Sequence, residues 1–399
     1  MSIPARNTIQ DREISPPAST RRSKRRRLSA SQDRSTASSK DHSTPPSQES
    51  ITLYSWNVNG IAPFLQPSVA SYLKPSDGKD AGQCTAKASL RDFLRRHAWP
   101  NLLFLQEVKI NPEDTKTIRA VEKAVARQSS EPADAHDYEI HFCLPSDKFN
   151  ARGFGRKVYG VCSIVRADFS ERYVDTFRPV SWDAEGRFLV IETKATERMP
   201  KLAFINVYAV NGTDNPYKDP ETGEVAGTRH DRKLRVHSLL QSECRELEAR
   251  GFSVCIAGDL NIARSRIDGH PNLRTFPKQH CLNRADFEAK FFSDSTKQHK
   301  MPVDSAATSA KDVETKDGSL GMIDTFRYLH PEQKSYTYYP RSKTFGDSCD
   351  RVDMILVSEA LKGNLREAGM HETPSERGPS DHVPLYVQLD FDDETSVPP

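Results

Sequence analysis

Apolar runs in this chain repeatedly end in a polar group. Asn57 and Asn59 close ITLYSWNV, Glu107 ends LLFLQEV, Tyr208 and Asn211 end KLAFINVYAV, and Asp259 and Asn261 follow FSVCIAG. Asp353 sits in RVDMILVS, and Asp381 and His382 precede VPLYVQL. If the runs are strands whose ends meet at one edge of a sheet sandwich, these groups converge from distant parts of the chain, as in a catalytic site on a rigid scaffold. A hard cation such as Mg²⁺ takes one or two carboxylates and completes its shell with water and substrate phosphate oxygens. Glu107, assisted by Asn59 and Asp381, meets that requirement, with Mn²⁺ as the substitute ion. Asparagines and a tyrosine can donate hydrogen bonds to phosphate, while a carboxylate and a histidine can position water and stabilise developing charge. This is the inventory of metal-assisted phosphodiester hydrolysis.

Each residue alone has a plainer reading. Asn57 and Asn59 in WNVNG, and Asp259 and Asn261 in GDLN, suit turns with Asx hydrogen bonds. Asp353 alternates with apolar residues and can be an outward, solvated side chain; Asp381 and His382 can simply cap a strand. Glu107 follows an apolar stretch and Gln106, where an unpaired carboxylate is costly, so a cation or arginine partner is expected. The joint pattern is harder to explain by accident than any one member.

The elements that must position these groups are short β-rich runs at 51–58, 102–108, 160–165, 187–193, 201–210 and 252–260, with three more near 335–339, 351–358 and 382–391. Helical periodicity is confined to a few places, including Leu90, Phe93, Leu94 and His97, then 234–247, then Phe287 and Phe291 with Asn283 as a candidate cap. Many strands with few helices argue against a doubly wound parallel sheet. They predict an α/β four-layer sandwich in which two packed mixed β-sheets are flanked by helices.

The chain has 399 residues, 36% hydrophobic and 28% charged, enough to bury a large core. Its net charge of +2 divides into +5 for residues 1–50 and −3 for the remainder, so nucleic acid would be held by a local patch or a bound cation rather than a broad positive field. Residues 1–50 hold 21 Ser, Thr or Pro and few large apolar side chains, and are expected to form a disordered basic tail. Its cluster Arg21–Arg27 is of the kind read by nuclear import receptors, with non-specific phosphate binding as the alternative. Residues 51–391 are then the catalytic domain and 392–399 a frayed C-terminus. Stretches 62–88 and 297–320 read as surface insertions. No apolar run is long enough for a membrane span and no secretory signal is visible, so a soluble intracellular protein is expected, with no membrane partner. Seven scattered cysteines without a C-x-x-C pair suggest reduced, mostly core thiols.

The ordered series SWNVNG, LQEVK, VYAVNG, GDLNIA, RVDMILVS and PSDHVPL resembles the endonuclease/exonuclease/phosphatase superfamily with the DNase I-like fold, and within it the exonuclease III family of apurinic/apyrimidinic (AP) endonucleases. The resemblance spans about 51–391. It implies that Glu107 is the direct Mg²⁺ ligand, with Asn59 and Asp381 close to the ion and Asn57 orienting the group. It further implies that Asp259 aligns or deprotonates the attacking water, that Asn261 and Asn211 bond water and phosphate, and that Tyr208 contacts the scissile phosphate. His382, oriented by Asp353, would stabilise the transition state. Lys109, Tyr159, Tyr338, Tyr339 and Asp350 are candidates for substrate contacts, with solvated or packed roles as the alternative for Lys109 and Tyr159.

Three features depart from the family pattern. Asp350 stands where an apolar residue usually walls the abasic-sugar pocket, Tyr338 and Tyr339 stand where Phe or Trp is common, and the loop after Asn211 is long and acidic at Asp214, Asp219, Glu221 and Glu224. A carboxylate at 350 predicts weaker discrimination for a bare abasic sugar, unless it points into solvent or pairs with Arg351 or a neighbouring base. The expected function is a nuclear Mg²⁺-dependent DNA repair nuclease that cuts 5′ to an abasic site, with 3′ exonuclease or 3′ phosphodiesterase action. The alternatives are another superfamily phosphodiesterase or phosphatase acting on RNA, a protein–DNA adduct or a phosphorylated small molecule, and a catalytically silent DNA-binding member. The complete polar set argues against the silent reading. The expected partners are duplex DNA with abasic or 3′-blocked ends and a nuclear import receptor.

Overall fold

The computed structural model describes residues 49–65, 89–151, 159–292 and 318–391. Arg21–Arg27 and nearly all of the tail, Cys84, most of the 62–88 and 297–320 stretches, and 392–399 lie outside the described residues.

One six-stranded sheet runs in the order β15 (Leu365–Met370), β16 (Leu385–Phe391), β1 (Glu49–Asn57), β2 (Leu102–Gln106), β4 (Val161–Arg166), β3 (Tyr138–Cys143). The other runs β12 (Ile323–Asp324), β14 (Asp353–Val357), β10 (Ser253–Asp259), β7 (Leu202–Tyr208), β6 (Phe188–Thr193), β5 (Val174–Pro179). Two small pairs complete the β-structure: β8 (Pro216–Lys218) with β9 (Val225–Thr228), and β11 (Gly269–His270) with β13 (Cys349–Asp350). Each large sheet is mixed, because β1 and β2 are parallel, as are β7 and β10, while the other neighbours are antiparallel. The stretch near 335–339 forms no named strand; Tyr338 makes only isolated bridges to Asp350 and His382.

The helices are α1 (Leu90–Arg96), α2 (Thr115–Val125), α3 (Ala167–Tyr173), α4 (Arg229–Ala249), α5 (Gln279–Phe291), α6 (Thr325–Leu329) and α7 (Pro374–Arg377). Three apolar clusters make the four-layer order. Leu53, Phe104, Phe204, Ala257, Ile355 and Val387 pack between the sheets. Phe93, Leu94, Val121 and Val125 of α1 and α2 cover the outer face of the first sheet against Trp56, Leu103 and Leu105. Val236, Leu240, Cys244 and Leu247 of α4, with Phe287 and Phe291 of α5, cover the second against Val207 and Ile256. Their spacing on α4 is the stripe of a half-buried helix, and a capping box of Thr228 and Asp231 starts it.

Asn283 does not cap α5. The helix begins four residues earlier, and Asn283 lies inside it, buried, with its amide on His230 Nδ1 at 2.9 Å. Its buried amide found a tertiary partner, which overrode its local preference for a cap. All six described cysteines are free, and five of them are buried. Among the described residues no helix is long and apolar enough to cross a membrane.

Candidate active site

The sheet registers assemble the site. Tyr208 on β7 pairs with Asp259 on β10, and Asp259 pairs with Asp353 on β14. Side chains directly opposite across neighbouring strands share a face, so these three stand in one row at the sheet end. In the other sheet Asn57 pairs with Gln106, and Glu107 follows at once. Buried Asn57 then bridges the two sheets: its Nδ2 donates to Glu107 Oε1 at 3.0 Å and to Asp259 Oδ2 at 2.9 Å.

The backbone is bent to make this convergence. Asn59, Glu107, Lys109 and Asn261 have φ values of 49°, 51°, 54° and 53°, four of the six described non-glycine residues with positive φ. Such strain collects where surrounding structure fixes a functional geometry. Gly258 of the GDLN motif has its own reason: a Cβ there would lie 1.8 Å from the Val207 carbonyl oxygen, so no other residue fits against β7.

His382 is buried and its Nδ1 lies 2.7 Å from Asp353 Oδ2. Its backbone is held by Ser380 Oγ, which also donates to Asn57 O, and by Trp56 Nε1 donating to His382 O. The simple strand-cap reading is thereby excluded for His382, as is a solvated Asp353, which is completely buried. Burial opposes the imidazolium, but the charge and hydrogen bond of Asp353 overcome it and raise His382 to about 10. Asp259 moves up to about 7, pushed first by burial and then by the charge of Asp353, against the pull of His382. A carboxylate that exchanges its proton near neutrality is suited to general base work.

Glu107 has the cationic partner expected for it: Lys109 Nζ lies 2.9 Å from Oε2 and also bonds Asn59 Oδ1. Burial would raise this carboxyl, but the charge of Lys109 and hydrogen bonds from Asn57, Lys109 and Tyr208 hold it below its ordinary range. Asn59 Nδ2 donates to Asp381 Oδ1 at 2.8 Å. Glu107, Asn59 and Asp381 are therefore one oxygen-rich set that already accepts a cation, the ammonium, and fits a hard divalent ion. Asp259, Asp353 and His382 also offer ligand atoms all within 4.8 Å of one another and can hold a metal. There the imidazolium would first have to lose a proton, since ligation needs a neutral ring. The set around Glu107 is the better fit.

These groups open on a polar cavity of about 240 Å³, lined by Glu107, Tyr208, Asn211, Asp259, Asn261, Asp381 and His382. Asn261 is fixed by its Nδ2 on Ala209 O at 3.0 Å and its backbone N–H on Asp259 Oδ1 at 2.8 Å. Tyr338 lines the cavity too, its ring 5.1 Å from that of His382. Tyr339 does not belong to the site. It is buried against Phe345 with its hydroxyl on Glu372 at 2.7 Å, because successive residues of an extended segment point to opposite sides. Tyr159 contributes at one remove, sandwiching the Arg187 guanidinium with Tyr208 at 4.3 and 4.6 Å.

Asp350 lines the cavity and is buried, neither turned to solvent nor on Arg351 but paired with a neighbouring base, one of the alternatives expected from the sequence. Its partner is Arg274, at 2.8 Å, from the loop before α5. The acidic stretch after Asn211 folds into the β8–β9 hairpin, where Asp219 accepts the backbone N–H of Glu221 and of Thr222.

Sequence reasoning missed Lys233, Arg187 and Arg274. Lys233 is buried, donates to Asn261 O at 2.8 Å and faces the cavity, and burial pulls its ammonium down to about 7. It was findable, since it lies three residues before Val236 on the apolar stripe of α4. Arg187 opens the run RFLVIET, but nothing in one sequence says that it packs on Tyr208. Arg274 lies in a loop without periodicity.

Residues 54–382 match the Endonuclease/Exonuclease/phosphatase family. The chain belongs to that family. Among individual proteins, the DNA-(apurinic or apyrimidinic site) endonuclease 2 of Mus musculus is 31% identical over 357 residues, covering 85% of this chain and 60% of that protein. Its namesake from Saccharomyces cerevisiae is 27% identical, over 54% of this chain and 40% of that protein. The chain thus spans about half the length of these curated relatives. The crystal structure of the Xenopus laevis APE2 catalytic domain shares the fold, with a TM-score of 0.54 at 19% identity over 86% of this chain and 94% of that one. The two mixed sheets with flanking helices are the DNase I-like architecture that the sequence resemblance implied, now placed within the Endonuclease/Exonuclease/phosphatase family.

Proposed function

We propose that this chain is a metal-dependent DNA repair nuclease that hydrolyses the phosphodiester 5′ to an abasic site and also acts at 3′ ends as an exonuclease or phosphodiesterase. The observation that carries the reading is the Tyr208–Asp259–Asp353 row, with His382 on Asp353 and Glu107 tied to Asp259 through Asn57. The names of the two endonuclease 2 relatives support the choice of DNA.

In this reading Asp259 takes a proton from the attacking water as its oxygen bonds to phosphorus, the P–O3′ bond of the preceding nucleotide breaks and the departing O3′ takes a proton from solvent, while Asn261 and Asn211 hold water and phosphate in line. Tyr208 and the His382 imidazolium donate to phosphate oxygens as charge builds there, and Asp353 keeps the imidazole protonated and aimed. Glu107, with Asn59 and Asp381 beside it, would hold a divalent cation, which when bound would supply Lewis-acid stabilisation of the phosphoryl oxygens. A labelled duplex with one abasic analogue, incubated with Mg²⁺, with Mn²⁺ or with EDTA, tests the proposal. Incision at the lesion supports it, a ladder from the 3′ end identifies resection, and no metal-dependent cleavage of either kind overturns it.

Glu107→Gln is expected to raise the Mg²⁺ concentration needed for half-maximal cleavage, because a carboxylate ligand becomes a neutral amide. An unchanged metal titration would move the ion elsewhere, with the Asp259, Asp353 and His382 group as the next candidate.

A second reading, a phosphodiesterase or phosphatase for another substrate, is favoured by one observation: the Arg274–Asp350 pair in the cavity wall. The carboxylate is neutralised by a neighbouring base, so what counts is not its charge but that an ion pair in the wall offers a bare deoxyribose little apolar contact. Asp350→Leu should therefore raise incision at an abasic analogue relative to 3′ resection. The freed Arg274 side chain is 55% exposed and loses little by turning to water. An equal ratio in variant and wild type would remove this pair from the specificity argument.

We also propose nuclear localisation through Arg21–Arg27 by way of an import receptor, on the composition of that cluster alone. β1 begins at Glu49, two residues before the expected domain start, so deleting residues 1–48 is the clean test: it should leave metal-dependent cleavage intact and reduce nuclear accumulation of a tagged protein. Undiminished accumulation would refute the import role.

A further inference from the structure

Between β11 and α5 the chain carries Arg274-Thr275-Phe276-Pro277-Lys278, and Phe276 is 88% exposed, the most exposed large apolar side chain among the described residues. A single exposed apolar residue is ordinary. This one is distinguished by its support and its neighbours. The backbone beneath it is pinned on both sides: Arg284 donates to Arg274 O at 2.9 Å and to Ala263 O at 2.7 Å, Cys281 Sγ to Thr275 O at 3.5 Å, and His280 N to Pro277 O at 3.0 Å. The ring is thus held out in water on an anchored arm.

The arm grows out of the candidate active site. Arg274, two residues before Phe276, lines the cavity, as do His280 and Arg284 just after it. Two residues of chain reach at most about 7 Å, roughly two base-pair rises of nucleic acid. Arg274 and Lys278 flank the ring in sequence, and Arg284 stands beneath the arm. Cations track a phosphate backbone, and an aromatic face among them takes a base, because every base has a π-face and stacking is sequence-tolerant. Residues 51–399 carry a net charge of −3, so nucleic acid must be held by a local patch, and this basic-aromatic segment supplies one.

We propose that Phe276 is a stacking platform for an unpaired nucleobase in the strand whose phosphodiester lies in the active site, with the exposed Lys278 on an adjoining phosphate. The proposal rests on the nuclease reading and narrows its substrate to nucleic acid with a single-stranded or splayed stretch beside the cut.

Binding measured without metal separates this from catalysis. The full chain and its Phe276→Ala and Phe276→Trp variants would be titrated with two probes, a duplex with a single-stranded extension and the same duplex whose extension carries base-free sugar spacers. Phe276→Ala is expected to bind the base-bearing probe about tenfold more weakly, the size of one base–aromatic stack. It should match wild type on the spacer probe. Phe276→Trp should retain affinity, and its added fluorescence should be quenched by the base-bearing probe alone. Equal affinity of wild type and Phe276→Ala for the base-bearing probe, or an equal loss on both probes, would overturn stacking. Because wild-type cleavage of the abasic duplex is scored separately, failure of the nuclease reading and failure of the platform give different results.

Discussion

Asp259→Asn is expected to reduce single-turnover cleavage by about 10²- to 10³-fold while changing DNA affinity little, because the carboxylate acts on the transition state more than on the bound ground state. His382→Ala should lose a similar factor, but it also strands the Asp353 carboxylate, whose Oδ1 already lacks a hydrogen-bond partner in a completely buried position. The asparagine variant is therefore the cleaner test. The wild-type rate should climb as pH passes about 7, where Asp259 loses its proton, and fall as pH approaches about 10, where His382 loses its own. Asp353 raises both groups, so Asp353→Asn should move both limbs to lower pH as well as lower the maximum. Stopped rates across pH for the three variants check this. Wild-type rates in Asp259→Asn, or limbs that stay in place in Asp353→Asn, would remove these residues from the chemistry.

The residues that the structure brings together at the candidate site were legible for a physical reason. A strand interior must be apolar on its buried face, so Asn57, Glu107, Asp259 and Asp353 at strand ends stand out against the pattern around them. The four-layer fold was legible for the same reason, through the runs and the α4 stripe. What the sequence withheld depends on which strands become neighbours. Nothing local in GDLN or RVDMILVS says that Asp259 and Asp353 face each other, which follows from the antiparallel β10–β14 register. Tyr338 and Tyr339 were equal candidates in sequence, and only the direction of each side chain separated a cavity wall from a core residue bonded to Glu372. Asp350 was legible as an anomaly, whereas its partner Arg274 arrives from 76 positions away along a loop without periodic signal.

Arg351→Met should be the most destabilising single change near the site. Arg351 lies between Asp350 and Asp353, and its guanidinium is completely buried. It donates to Asp268 Oδ1 at 2.7 Å and to both oxygens of Asp324 at 3.1 and 2.7 Å. Removing one member of a buried ionic network leaves uncompensated charge and typically costs about 3–5 kcal/mol. Arg264 on Asp324 at 3.0 Å and Arg327 on Asp268 at 2.7 Å remain, which places the expected loss toward about 3 kcal/mol. Denaturant unfolding should show a lower midpoint at an unchanged slope. The pH dependence gives a second check. Burial would raise both aspartates, but Arg351 and its neighbours hold Asp268 and Asp324 below their ordinary value of 3.8. A depressed carboxyl contributes stability that is fully present above its unfolded value and is lost as pH falls through its folded one. The gap between wild type and Arg351→Met should accordingly be widest near neutrality and narrow below about pH 3.8. Arg351→Lys keeps a charge but not the planar fork that serves two carboxylates at once, so it should recover only part of the loss. A midpoint equal to wild type, or a gap that persists unchanged into acid, would mean that the network does not hold the Asp350–Asp353 segment in place.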